Sequence, residues 1–166
     1  GVALSVSDQQ GHDIERGCIR ERPKVIYNPV TKKFCMWFHL ELKGKGYSAA
    51  RYGVAVADRP EGPYKFLYSQ RANAATWPVE FGKQELTVVD TLNEANFKEW
   101  WTPAWRKAVA QGLFVKRDFS SGQMSRDMTL YVDDDGKAYH IFSSEENLTL
   151  HIAELTADYL HHTGRY

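Results

Sequence analysis

Two acidic residues, Glu21 and Asp127, stand next to arginines in similar stretches about a hundred residues apart. Glu21-Arg22-Pro23-Lys24-Val25-Ile26-Tyr27-Asn28 opens one strand–turn–strand unit, and Ser125-Arg126-Asp127-Met128-Thr129-Leu130-Tyr131 opens another. Paired carboxylates converging on one cleft can do general acid–base work, one protonating a leaving oxygen while the other activates water. Laying Glu21–Phe38 on Ser125–Phe142 without a gap, at a constant offset of 104, places Arg22 on Arg126, Tyr27 on Tyr131, Lys33 on Lys137 and Phe38 on Phe142. Val25 then falls against Thr129, Cys35 against Tyr139 and Trp37 against Ile141. Under this alignment Glu21 and Asp127 lie two places apart on equivalent strands, so their side chains leave the same face. Arg22 and Arg126 would hold those carboxylates in place; salt bridging between neighbouring sheets accounts for the same residues equally well.

The elements that position these acids read as short strands. Glu21–Asn28, Phe34–Leu40, Tyr52–Ala57 and Tyr64–Tyr68 form a first unit spanning 21–68, with Phe34, Met36 and Phe38 on one face and Cys35, Trp37 and His39 on the other. Residues 1–20 are a polar, turn-rich loop leading into it. Residues 124–166 form a second unit, whose hairpin turns at Asp133-Asp134-Asp135-Gly136 and whose third strand is Thr149–Glu154. That aspartate run is consecutive rather than alternating and lacks a following Glu, which excludes an EF-hand loop. Between the units, residues 69–123 read as a partly helical insertion, with helices over Glu94–Trp101 and Ala104–Gln111 split by Pro103 and closed by Gly112. Its tryptophans, Trp100, Trp101 and Trp105, either pack against a sheet or wall a cleft as a platform for a sugar ring. A repeated β-meander of this size predicts an all-β fold, about two blades of a β-propeller.

Twenty-one basic and 21 acidic residues cancel, which leaves nothing to draw the chain to nucleic acid or an anionic membrane. No apolar run is long enough to span a bilayer, and no signal-peptide pattern is present. Cys18 and Cys35 form no CxxC, and the six histidines form no metal motif, His39, His140 and His151 reading as strand residues satisfied within the sheet. The chain starts without Met and stops directly after a strand-like segment, so an internal segment of a larger protein is expected.

The Glu-Arg-Pro-Lys and Ser-Arg-Asp-Met blocks, together with Tyr47-Ser48-Ala49-Ala50-Arg51-Tyr52-Gly53, Gly62-Pro63-Tyr64 and Ser143-Ser144-Glu145-Glu146-Asn147-Leu148, resemble glycoside hydrolase family 43. The branch they look most like is that of the exo-β-1,3-galactanases. The resemblance implies a five-bladed propeller that releases galactose from the non-reducing end of β-1,3-galactan with inversion, secreted or periplasmic, with the remaining blades supplied by the same protein. It implies that Asp127 orients the general acid and tunes its pKa, and that Glu21 is a base or a sugar contact. Tyr47, Arg126, Glu146 and Asn147 would bind substrate, Glu146 standing where the family often has Asn. The general acid itself is a Glu in a later block that this chain does not include. No cofactor is required, though a structural calcium is compatible. Two other readings are a non-catalytic propeller that binds galactan and a different family activity, arabinofuranosidase or xylosidase.

Overall fold

The computed structural model of the chain describes every residue except 80, 83, 85 and 87–98. Two antiparallel meanders carry the fold. The first runs β1 (Ile19–Asn28), β2 (Lys33–Glu41), β3 (Arg51–Ala57) and β4 (Lys65–Gln70), each strand paired with the next. The second runs β5 (Met128–Val132), β6 (Ala138–Ser144) and β7 (Thr149–Glu154) in the same manner. Sequential order with tight turns follows from the sequence: short β-branched and aromatic runs, each closed by Gly, Pro or Asp clusters.

The alternation along β2 decides where the cores sit. Met36, Phe38 and Leu40 face Leu4 and Ile14 of the N-terminal segment, together with Ala55, Ala57 and Tyr64. Cys35 and Trp37 face the second sheet, meeting Met128, Ala138, Phe142 and Ala153, with Tyr159 and Leu155 closing the end. Trp37 is fully buried, stacks on Tyr52 at 4.8 Å and donates its indole N–H to the Tyr159 carbonyl at 3.0 Å. Asn28 donates across the same seam to Ala157 at 2.8 Å, so the sheets are joined by polar bonds as well as apolar packing. At Gly53, opposite Phe38 in the ladder, a Cβ would come within 2.5 Å of the ring, so only glycine admits the aromatic there.

The gapless repeat holds in the first strand of each hairpin and fails in the second. Lys24 pairs with Trp37 and Asn28 with Lys33, whereas Met128 pairs with Phe142 and Val132 with Ala138. The second turn, residues 133–137, is one residue longer than the first, residues 29–32. Phe142 therefore takes the place of Trp37, not of Phe38, and Cys35 matches His140 rather than Tyr139. A one-residue shift exchanges the faces of a strand. Gly136, at φ +83°, closes this longer turn in the left-handed conformation.

In the insertion, α1 (Pro103–Ala110) begins where expected, with Pro at its first turn and the Thr102 hydroxyl accepting from the Trp105 N–H at 3.2 Å. Gly112 breaks the direction and a second short helix, α2 (Leu113–Arg117), follows; the sequence reading contains no counterpart to it. Most of the helix expected over Glu94–Trp101 lies outside the described residues, and Trp100 and Trp101 occupy a turn. Trp105 is buried against Phe114, while Trp100 and Trp101 are more than 40% exposed and lean on it. The insertion thus packs with one tryptophan and shows two to solvent. The Ala72–Gln123 bridge joins its two ends just beyond β4.

Candidate active site

The seam between the sheets opens where β1 starts and β5 is about to start. Glu21 pairs with His39 and Lys24 with Trp37, so the ladder skips a step, and Arg22 in that bulge has φ +53°. Pro23 explains the location: without an N–H it cannot sit in a regular ladder, and β1 is an edge strand that tolerates a bulge. The bulge turns the Arg22 guanidinium toward the second unit, where its Nε lies 2.7 Å from Asp127 Oδ1. That carboxylate bond raises the Arg22 pKa above its already high value. Asp127 is exposed and precedes β5 rather than standing within it. Glu21 and Asp127 therefore come to one surface, but by a bulge and a pre-strand bend; the alternation of equivalent strands is not what brings them there.

Glu21 is contacted on both oxygens. Tyr47 donates its hydroxyl to Oε1 at 2.9 Å, and the His39 Nδ1 stands 3.5 Å from Oε2. The Glu21 carboxylate, as hydrogen-bond acceptor, raises the Tyr47 phenol above its ordinary pKa, so Tyr47 stays a donor. His39 is buried, and its Nε2 lies 2.8 Å from Oε1 of Glu41, a glutamate with no exposure.

Arg126 closes the opposite side, donating to the Tyr47 carbonyl at 3.1 Å and pairing with Glu146 at 2.8 Å. The Glu146 carboxylate is 10% exposed, so it serves Arg126 in this structure. Asn147 Oδ1 accepts from the Ser143 hydroxyl at 2.8 Å. Glu145, Glu146 and Asn147 follow β6 with φ of 44°, 57° and 69°. Three consecutive non-glycine residues in the left-handed region cost on the order of 1 kcal/mol or more each. The buried Glu145, bound to His151 Nε2 at 3.0 Å, anchors the turn that bears this strain.

All six residues singled out in the sequence, Glu21, Asp127, Tyr47, Arg126, Glu146 and Asn147, thus fall into one polar cluster at the seam. Sequence reading missed His39 and Glu41 as members. The signal was present: two polar residues two places apart share a face, and a Glu at the end of a largely buried strand needs partners. Among the described residues no group of three or more His, Cys, Asp or Glu is set to hold a metal ion, and no helix is long and apolar enough to cross a membrane.

This fold and sequence match glycoside hydrolase family 43 along nearly the whole chain. The match is 62% identical, with a TM-score of 0.93, to a β-1,3-galactosidase of that family solved with galactodeoxynojirimycin, covering 99% of this chain and 47% of that one. An exo-β-1,3-galactanase from Phanerochaete chrysosporium, solved with galactose, is 27% identical with a TM-score of 0.61, over 97% of this chain and 26% of that one. An exo-β-1,3-galactanase from Clostridium thermocellum is 31% identical with a TM-score of 0.58, over 88% and 23%. The chain therefore spans about half the length, or less, of the structures it matches. No protein-family model and no curated protein matches it.

Proposed function

We propose that this chain is part of a five-bladed β-propeller that releases galactose from the non-reducing end of β-1,3-galactan with inversion. The observation that carries the reading is the meeting of Glu21, Asp127, Tyr47 and Arg126 at the seam between two sheets. In a propeller, the first strands of adjacent blades line the axis, and β1 lying beside β5 at that seam fits such an arrangement. Residues 163–165 bond antiparallel to Glu154 on the free side of β7, as the start of a fourth strand would. The 62% identity to a β-1,3-galactosidase supports the substrate class.

In this reading Asp127 orients the general acid, which the remaining blades supply, and Glu21 takes the base or sugar-contact role. Tyr47, Arg126, Glu146 and Asn147 shape the sugar pocket, directly or by holding their neighbours. Hydrolysis of β-1,3-galactan by the full-length protein, compared with arabinan and xylan, tests the substrate; the anomer first seen by NMR tests inversion. Equal rates on all three polymers, or a β-galactose first product, would refute it. The exposed Trp100 and Trp101 favour a second reading, a propeller that binds galactan without cleaving it. Galactan binding with no hydrolysis by the full-length protein would select that one.

A further inference from the structure

The buried Glu41 is bonded to His39 and to the end of the Tyr47 loop, the two sources of contact to Glu21. Its Oε1 faces His39 Nε2, and the other nitrogen of that ring, Nδ1, faces Glu21 Oε2. Its Oε2 accepts the backbone N–H groups of Ala49 and Ala50 at 2.8 and 2.9 Å. Those two residues close the loop that begins at Leu42 and carries Tyr47, whose hydroxyl holds Glu21 Oε1. The His39 and Tyr47 rings lie 6.0 Å apart, so the two arms flank one carboxylate. A fully buried glutamate is costly unless several partners meet it, and here two backbone N–H groups and the His39 ring do. Apolar packing alone would not require an acid at this place.

We infer that Glu41 and His39 are positioning residues: Glu41 orients the His39 ring and the Tyr47 loop, and these two together fix the Glu21 carboxylate. This rests on the reading of Glu21 as a group of the sugar site. The arrangement resembles other histidines whose second nitrogen is oriented by a carboxylate.

Two replacements of His39 separate positioning from mere stability. An Asn places its amide nitrogen near where Nδ1 stands and puts a donor toward Glu21, leaving Glu41 without its ring partner. A Gln places it near Nε2 and keeps the donor to Glu41, leaving Glu21 without its contact. In the full-length protein His39→Gln should keep its melting temperature and lose about 10–100-fold in kcat. His39→Asn should melt lower yet lose less kcat than His39→Gln, because a donor toward Glu21 remains although Glu41 no longer orients it. Loss of kcat in step with loss of stability across both variants would overturn the inference. Where His39→Asn does not fold, His39→Gln is made in a Glu21→Gln background: little further loss supports positioning, and a full additional loss overturns it. Should the wild-type protein not hydrolyse β-1,3-galactan, the proposed function fails separately. Crystal structures of the variants then decide: a Glu21 carboxylate displaced in His39→Gln supports positioning, and one unmoved overturns it.

Discussion

The seam between the sheets holds a pair of histidines whose protonation the fold opposes, and acid should expose it. His140 Nδ1 and His162 Nε2 lie 3.1 Å apart, among the rings of Trp37, Tyr52 and Phe142. His140 has no exposure, and burial pushes its pKa well below the ordinary value of 6.5. His162 as a residue keeps some exposure. Its Nδ1 is buried without a partner among the described residues, and its Nε2 faces His140. Burial first, and the neighbouring His161 second, bring His162 from 6.5 to about 3. A depressed folded pKa means that the unfolded chain binds the proton more readily, so stability present above pH 6.5 is lost as pH falls toward 3. For His162 alone the loss between pH 7 and pH 4.5 comes to roughly 2.5 kcal/mol, from about 1.4 kcal/mol per pH unit. His140 shifts in the same direction and adds to it. The assay is urea denaturation of the full-length protein at a series of pH values, beside His162→Gln, which cannot titrate but can still pair with His140. The difference between the two stabilities should swing toward the variant by roughly 2 kcal/mol over that interval. Parallel curves would refute the reasoning, because they would mean that the pair takes up its proton in the folded state as readily as in the unfolded one.

Other expectations concern the site and the packing. Asp127→Asn in the full-length protein should cut kcat on β-1,3-galactan by about 10²-fold or more, the range for losing a group that tunes acid–base catalysis. Its melting temperature should not change, because the Arg22–Asp127 pair is exposed; an unaltered rate removes Asp127 from the mechanism. Arg126→Met should leave the largely buried Glu146 carboxylate unpaired and cost about 3 kcal/mol in urea denaturation, and adding Glu146→Gln should recover much of it. Gly53→Ala should cost about 1–3 kcal/mol by driving a methyl group into the buried Phe38 ring. A melting temperature equal to wild type would show that the ring yields freely.

What the sequence made legible follows from which rules are local. The seven strands are read from alternation and turn residues, and Thr149–Glu154 needs no adjustment. The register of the second hairpin is not local in this sense: neither Pro29–Lys32 nor Asp133–Lys137 states at which residue pairing resumes, yet the extra residue exchanges the faces of β6. Pro23 announces a bulge, but not that the bulge would swing Arg22 onto Asp127. In the left-handed run at Glu145–Asn147 only Asn147 is of a type that favours that conformation; tertiary contacts to His151 and Arg126 hold the two glutamates in it. The site was legible as a set of residues and illegible as a geometry. Glu21, Asp127 and Arg126 were found by type and by repeat, and Tyr47, Glu146 and Asn147 by the family resemblance, while the distances among them depend on one bulge and one strained turn.

That dependence points to a common construction in the two units. Along β2 the face toward the seam runs Cys35, Trp37, His39, Glu41, apolar residues giving way to a buried histidine and glutamate at the strand end. Along β6 the equivalent face runs His140, Phe142, Ser144, after which the buried Glu145 takes His151 as its partner. Each sheet thus ends its inner strand in a desolvated Glu–His pair, and each pair anchors the loop that follows. Glu41 holds the backbone behind Tyr47; Glu145 holds the turn presenting Glu146 and Asn147. A buried carboxylate is a poor source of net stability, because desolvation offsets most of what its bonds return. Twice placed at the mouth of the seam, it makes better sense as a fixed point from which polar loops are hung. The half-buried Glu21 then takes its position from these buried groups, which is the order that its proposed role in acid–base chemistry would demand.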